Sequence, residues 1–269
     1  MGCKTIAEIS VTLVYSFVFI LGLFVGSFIN VLIYRTPRNE SVLKPRSHCP
    51  VCGKVLNATE LFPVVSFIIL RARCKNCNSR ISPRYPVVES LIGFLFLLTY
   101  IKYGFSFEFF CYSAFFSLLT AISFIDAEFM IIPNRLVFYA FIISTITFAY
   151  NTIFPLAIYG NANPFYPLLG LLPGAVFFFL INVGALLFFK SDNSIGMGDV
   201  KLLIPIGIVL GFKSCLVAVL ISVMLGGLVG VVLIILRKKK KRDRIPFGPF
   251  IVLGAYLALI LAGLPGLSL

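Results

Sequence analysis

Long apolar blocks constrain this chain more than any other feature, because water-soluble cores do not need them. They fall roughly at 9–34, 86–103, 106–125, 135–154, 164–189, 199–212, 214–236 and 246–267. Most approach the ~20 residues that carry a helix across a bilayer. The sixth is short enough for a half-span or a tilted helix. Only 12% of the 269 residues are charged, against about 25% in ordinary soluble domains. The expectation is an all-α membrane protein, a polytopic bundle of about eight transmembrane helices. The first block is too long for a signal-peptide core and has positive charge on its C-terminal side, so it reads as a retained span.

Lysine and arginine fix the expected orientation. The 35–85 segment carries ten, the run "RKKKKRDR" (237–244) carries seven, and Arg135, Lys190 and Lys201 fall on the same side. Only Lys4, Lys102 and Lys213 fall on the other. Twenty against three places the 35–85 loop in the cytoplasm and both termini outside. The net charge of +13 is then a topology signal that also attracts anionic lipid headgroups. No nucleic-acid partner is expected. The chain divides into a first transmembrane helix (1–34), a cytoplasmic loop (35–85) and a transmembrane bundle (86–269).

The loop holds two C-x-x-C pairs, Cys49/Cys52 and Cys74/Cys77, 21 residues apart. Each pair suits a knuckle that offers two thiolates to one ion, and four thiolates make a closed structural zinc site. Disulfides are disfavoured in the cytoplasm, and a thioredoxin-like site would need a βαβ context that is absent. Metal binding would also order a polar loop whose own core is small. Cys3, Cys111 and Cys215 read as small buried hydrophobes. His48, the one histidine, reads as a solvated loop residue beside a complete ligand set.

A single histidine removes most hydrolytic mechanisms and leaves carboxylates. Asp126 closes the third span and Asp199 opens the sixth, at one depth, so the two can meet in the bundle interior. Two such neighbours share a proton, and one serves as base while the other serves as acid. Each also has a bland reading: Asp199 as an N-cap, Asp126 as an interfacial charge. Gly196 and Gly198 permit close backbone approach just before Asp199. Lys201 reads either as a partner for a backbone carbonyl or as a snorkelling residue. A proton-coupled transporter would use similar acids and glycine-broken helices, but the paired halves usual in transporters are absent and transport needs no zinc loop. In a membrane assembly scaffold the aspartates would be structural.

"GMGDVK" (196–201) matches the G-x-G-D-x-K motif, and with it the chain resembles the type IV prepilin peptidases, GxGD intramembrane aspartyl proteases. "GLFVGSFINVLIYRTP" (22–37), "CPVC…LRARCKNCNSRISPRYPVVE" (49–89) and "IDAEFMIIPN" (125–134) are similar to the family's other signatures, in the same order. Ala72 and Ala127 are small departures. The resemblance implies a bacterial plasma-membrane enzyme that cuts the leader from prepilins or pseudopilins at the cytoplasmic face. It further implies N-methylation of the new terminus with S-adenosylmethionine. Asp126 and Asp199 would be the catalytic pair, supported by Gly196, Gly198 and Lys201. Cys49, Cys52, Cys74 and Cys77 would hold zinc in the half linked to methylation. Glu89, Asn30 and Arg35 are candidates on the methylation side.

Overall fold

A computed structural model describes residues 2–159, 163–189, 196–236 and 245–262. The basic run 237–244, Lys190, Asp192 and the end of the last expected span lie outside the described residues. Among the described residues the chain is helical, with two isolated β-bridges. It forms two compact units, 1–117 and 118–269. Among the described residues, six helical segments are long and apolar enough to cross a membrane, so the chain is a multi-pass membrane protein.

In the first unit, α1 (Gly2–Arg35) packs along α3 (Arg84–Tyr103). Glycines set the approach. A Cβ at Gly22 would lie 2.8 Å from Gly93 Cα, and one at Gly26 would lie 2.6 Å from Glu89 Cα. Edge-on aromatic pairs, Tyr15 with Tyr100 and Phe19 with Phe94, flank the seam. Between these helices the cysteine loop contains a short helix α2 (Val65–Ile69). The loop is less uniformly polar than expected: 61–70 reads LFPVVSFIIL and folds back on α1, where Phe62 meets Phe24 edge-on at 5.3 Å. From Phe107 the helix α4 (Phe107–Phe129) runs on into the second unit.

The second unit also holds α5 (Asn134–Ile153), α6 (Phe177–Phe189), α7 (Met197–Ile235) and α8 (Gly248–Leu261). The expected 164–189 span is not one α-helix. A 3-10 stretch, Tyr166–Leu171, and a π turn, Leu172–Val176, precede α6. This irregular backbone lies against α7 through paired glycines. A Cβ at Gly207 would sit 2.5 Å from Gly170 O, and one at Gly170 would sit 2.0 Å from Gly207 O.

The expected sixth and seventh spans join as α7, which breaks at Gly211 (φ 69, ψ −177). An L side chain rarely adopts that backbone. Just before the break, the carbonyls of Ile208 and Val209 both accept from the Tyr159 hydroxyl at 3.2 Å. Gly226 of the "GGLVG" run receives Phe247, whereas Gly227 faces open space. Because overpacking a tight seam costs about 1–3 kcal/mol, Gly207→Ala should lower the thermal unfolding temperature in detergent. Gly227→Ala should leave it unchanged.

Candidate active site and metal centre

Asp126 lies in the last turn of α4 and Asp199 in the first turn of α7. Both are buried, at 6% and 9% exposure. They are close enough for their charges to interact. The helix N-cap is Gly196, and Asp199 N–H donates to Gly196 O at 2.9 Å. Asp199 is therefore inside the first turn and not the cap, and its side chain makes no capping bond.

Each expected supporting residue has a definite place. A Cβ at Gly198 would lie 3.1 Å from Ile132 Cβ, so a bare backbone lets α7 start against the 130–133 turn. Gly196 is exposed, and a Cβ there would meet Asp199 Oδ2 at 3.4 Å. Lys201 binds neither a backbone carbonyl nor solvent alone. Its Nζ donates to Asn134 Oδ1 at 3.3 Å and ties α7 to the start of α5.

Gly248 was not anticipated from the sequence. Its N–H, at the start of α8, donates to Asp126 Oδ2 at 2.9 Å. A Cβ at Gly248 would lie 2.8 Å from that oxygen, so the carboxylate and a side chain cannot both fit. The first N–H groups of a helix lack intrahelical partners and carry its positive end, which suits a carboxylate. The only sequence signal is a glycine between Pro246 and Pro249, which reads equally well as an ordinary turn.

In the loop the two C-x-x-C knuckles repeat one geometry. Cys49 N–H donates to Lys54 O and Gly53 N–H to Cys49 O, both at 2.9 Å. Cys74 N–H donates to Ser79 O at 2.8 Å and Asn78 N–H to Cys74 O at 3.0 Å. Gly53 and Asn78 occupy the same left-handed position in the two turns. All four Sγ atoms lie within 4.8 Å of one another, and Cys49 Sγ is 3.8 Å from Cys77 Sγ. Zn–S bonds of about 2.3 Å at tetrahedral angles require S–S edges of about 3.8 Å. The donor set therefore fits zinc.

Burial alone would push the Cys49 thiol up, but N–H groups of Cys52 and Val51 outweigh it and bring the thiol down to about 6. The Ser79 hydroxyl lowers Cys77. Both shifts favour the thiolates a metal needs. His48 Nδ1 lies 3.1 Å from Arg46 O, and His48 is not among the four clustered ligands.

The remaining candidates are committed to the loop and its exit. Arg35 donates to the carbonyls of Ser41, Val42 and Pro45 at 2.8, 3.1 and 2.6 Å. Asn30 Nδ2 donates to Tyr85 O at 3.1 Å, while its buried Oδ1 has no partner. Glu89 Oε2 accepts Val64 N–H at 2.7 Å.

Two family models match the chain: the bacterial peptidase A24 N-terminal domain over residues 20–103 and the type IV leader peptidase family over 113–231. A Bacillus subtilis (strain 168) protein named prepilin leader peptidase/N-methyltransferase is 37% identical over 250 residues, 91% of this chain and 93% of that one. Proteins of the same name from Myxococcus xanthus (strain DK1622) and Pseudomonas putida are 35% and 30% identical. They match 81% and 90% of this chain, and 63% and 88% of their own lengths. No solved structure matches significantly. The chain belongs to the type IV leader peptidase family and is an enzyme of that family.

Proposed function

We propose that this protein cuts the leader from prepilins or pseudopilins at the cytoplasmic face of the bacterial plasma membrane, using Asp126 and Asp199. It then methylates the new N-terminus with S-adenosylmethionine. The observation that carries this reading is the approach of two buried carboxylates from separate helices, each at a helix end. The lysine and arginine distribution supports the orientation, and the names of the relatives support the substrate and both reactions.

The chemistry follows from the pair. The ionised carboxylate takes a proton from water, whose oxygen attacks the scissile carbonyl carbon. The protonated partner donates to that carbonyl oxygen and then, through the pair, a proton reaches the leaving nitrogen. The C–N bond breaks, leaving an acid on the leader and a free amine on the mature chain. Gly248 N–H holds one oxygen of Asp126, and the Lys201–Asn134 bond holds the first turn of α7. Gly196 and Gly198 leave space beside Asp199 for the substrate backbone.

Cys49, Cys52, Cys74 and Cys77 would hold a structural zinc that orders the loop and takes part in no bond-making step. Methyl transfer needs that order. Arg35 and Glu89 serve it by binding loop backbone groups, and Asn30 serves it at the loop's exit.

Purified protein in lipid, given a prepilin and S-adenosylmethionine, should yield a shortened, methylated product by mass spectrometry. Asp126→Asn and Asp199→Asn should each lower cleavage by at least about a thousandfold. Cleavage of the leader at the wild-type rate by either variant would remove that aspartate from the catalytic pair and leave it an interfacial charge. Gly248→Ala should lower kcat about tenfold to a hundredfold with little change in KM, since misplacing a reacting group by ~1 Å costs that much. Wild type should carry zinc by elemental analysis, and Cys49→Ser/Cys74→Ser should lose it. That variant should lose methylation while retaining some cleavage; full methylation by verified zinc-free protein contradicts the division of labour.

A further inference from the structure

Residues 61–70 fold back along α1 and α3, inward of the arginines at the helix ends. Phe62 meets Phe24 edge-on. Phe24 lies eleven residues before the cationic end of α1 at Arg35, about 16 Å along the helix axis at 1.5 Å per residue. Val64 N–H reaches Glu89, five residues and about 7 Å into α3 from Arg84. Both contacts lie inward of the arginines that mark the helix ends.

Backbone at such a depth must satisfy its own polar groups, because lipid offers no partners. This segment does so. Pro63 has no N–H. Ser66, Ile68 and Leu70 donate to Phe62, Val64 and Ser66 carbonyls at 2.9–3.1 Å. Arg71 and Ala72 donate back to Ile68 and Phe67. Val64 has φ 60, uncommon for a β-branched residue, and so turns its N–H away from the helix. The buried Glu89 carboxylate accepts it.

The side chains on the outside are apolar. Ile68 and Ile69 are 67% and 72% exposed, and Phe62 and Val65 are also exposed. An isolated apolar patch of this kind would be a liability in water. Here it continues the lipid-facing surface of α1, where Phe24 and Phe28 are exposed. Arg71, Arg73 and Lys75 follow at once and line an open cleft of about 760 Å³ next to the knuckle of Cys74.

We propose that 61–70 is a re-entrant element seated in the hydrocarbon edge of the bilayer, with Arg71, Arg73 and Lys75 on anionic phospholipid headgroups. It pins the metal knuckles to the membrane surface. The proposal does not depend on the catalytic assignment.

The chain has no tryptophan, so Ile69→Trp supplies a single reporter. Phe28→Trp on α1 gives a lipid-facing reference and Val51→Trp, in the first knuckle, gives an aqueous one. Each full-length protein is reconstituted in phosphatidylcholine–phosphatidylglycerol vesicles with or without bromine on the acyl chains. Ile69→Trp should be quenched by brominated lipid as strongly as Phe28→Trp and spared by iodide. Ile68→Trp serves as the second variant if Ile69→Trp does not fold. Quenching by iodide but not by bromolipid, as for Val51→Trp, overturns the seat in the bilayer. Replacing phosphatidylglycerol with phosphatidylcholine should reduce bromolipid quenching; no change overturns the headgroup contact. Adding Glu89→Leu should expose the reporter to iodide and adding Glu89→Gln should not, because a carboxamide oxygen still accepts Val64 N–H.

Discussion

A buried carboxylate costs several kcal/mol unless it is neutralised or bonded, and here two sit together in a chain that otherwise avoids charge. Much of the second unit answers that constraint. The start of α8 turns an otherwise unpartnered N–H toward Asp126. The first turn of α7 carries Asp199 next to Gly198, whose missing Cβ lets the turn sit against Ile132. Lys201 is held at Asn134 and therefore makes no ion pair with the acids. Apart from the Gly248 N–H on Asp126, no hydrogen bond or ion pair among the described residues neutralises the two acids.

The helices can present these groups only because they approach unusually closely. Glycine faces glycine where the irregular stretch before α6 meets α7, and Gly254 of α8 meets Ser222 and the Ala218 carbonyl of α7. In a membrane there is no hydrophobic force between helices, so small residues and van der Waals contact replace it. Gly226 receives the Phe247 ring immediately before Gly248. Placement of the Asp126 hydrogen bond thus depends on a helix contact some distance from the carboxylate.

The spans were legible in the sequence because lipid leaves helical backbone few alternatives. The cysteine knuckles were legible because two C-x-x-C pairs suit few other structures, and the repeated backbone bonds at Cys49 and Cys74 match that reading. The expectation that Asp126 and Asp199 approach came from their common depth and from the resemblance. Gly248 was hidden because its contribution is a backbone N–H and a missing Cβ, neither of which has a pattern. The 61–70 run was hidden because ten apolar residues are too few for a span and its neighbours are polar. The bonds of Arg35 to the carbonyls at 41, 42 and 45 are a local fold that charge counting cannot reveal. The join at Gly211 needed a left-handed glycine that sequence marks only as a boundary.

If Asp126 and Asp199 form one reactive unit, their losses cannot be independent. The most direct measurement is therefore a double-mutant cycle on leader cleavage, with Asp126→Asn, Asp199→Asn and the double variant assayed under single-turnover conditions in lipid. The account expects each single variant to fall to the residual rate of the double, so that the second substitution costs almost nothing. Losses that multiply would mean two separate contributions, and the shared-proton dyad would be wrong.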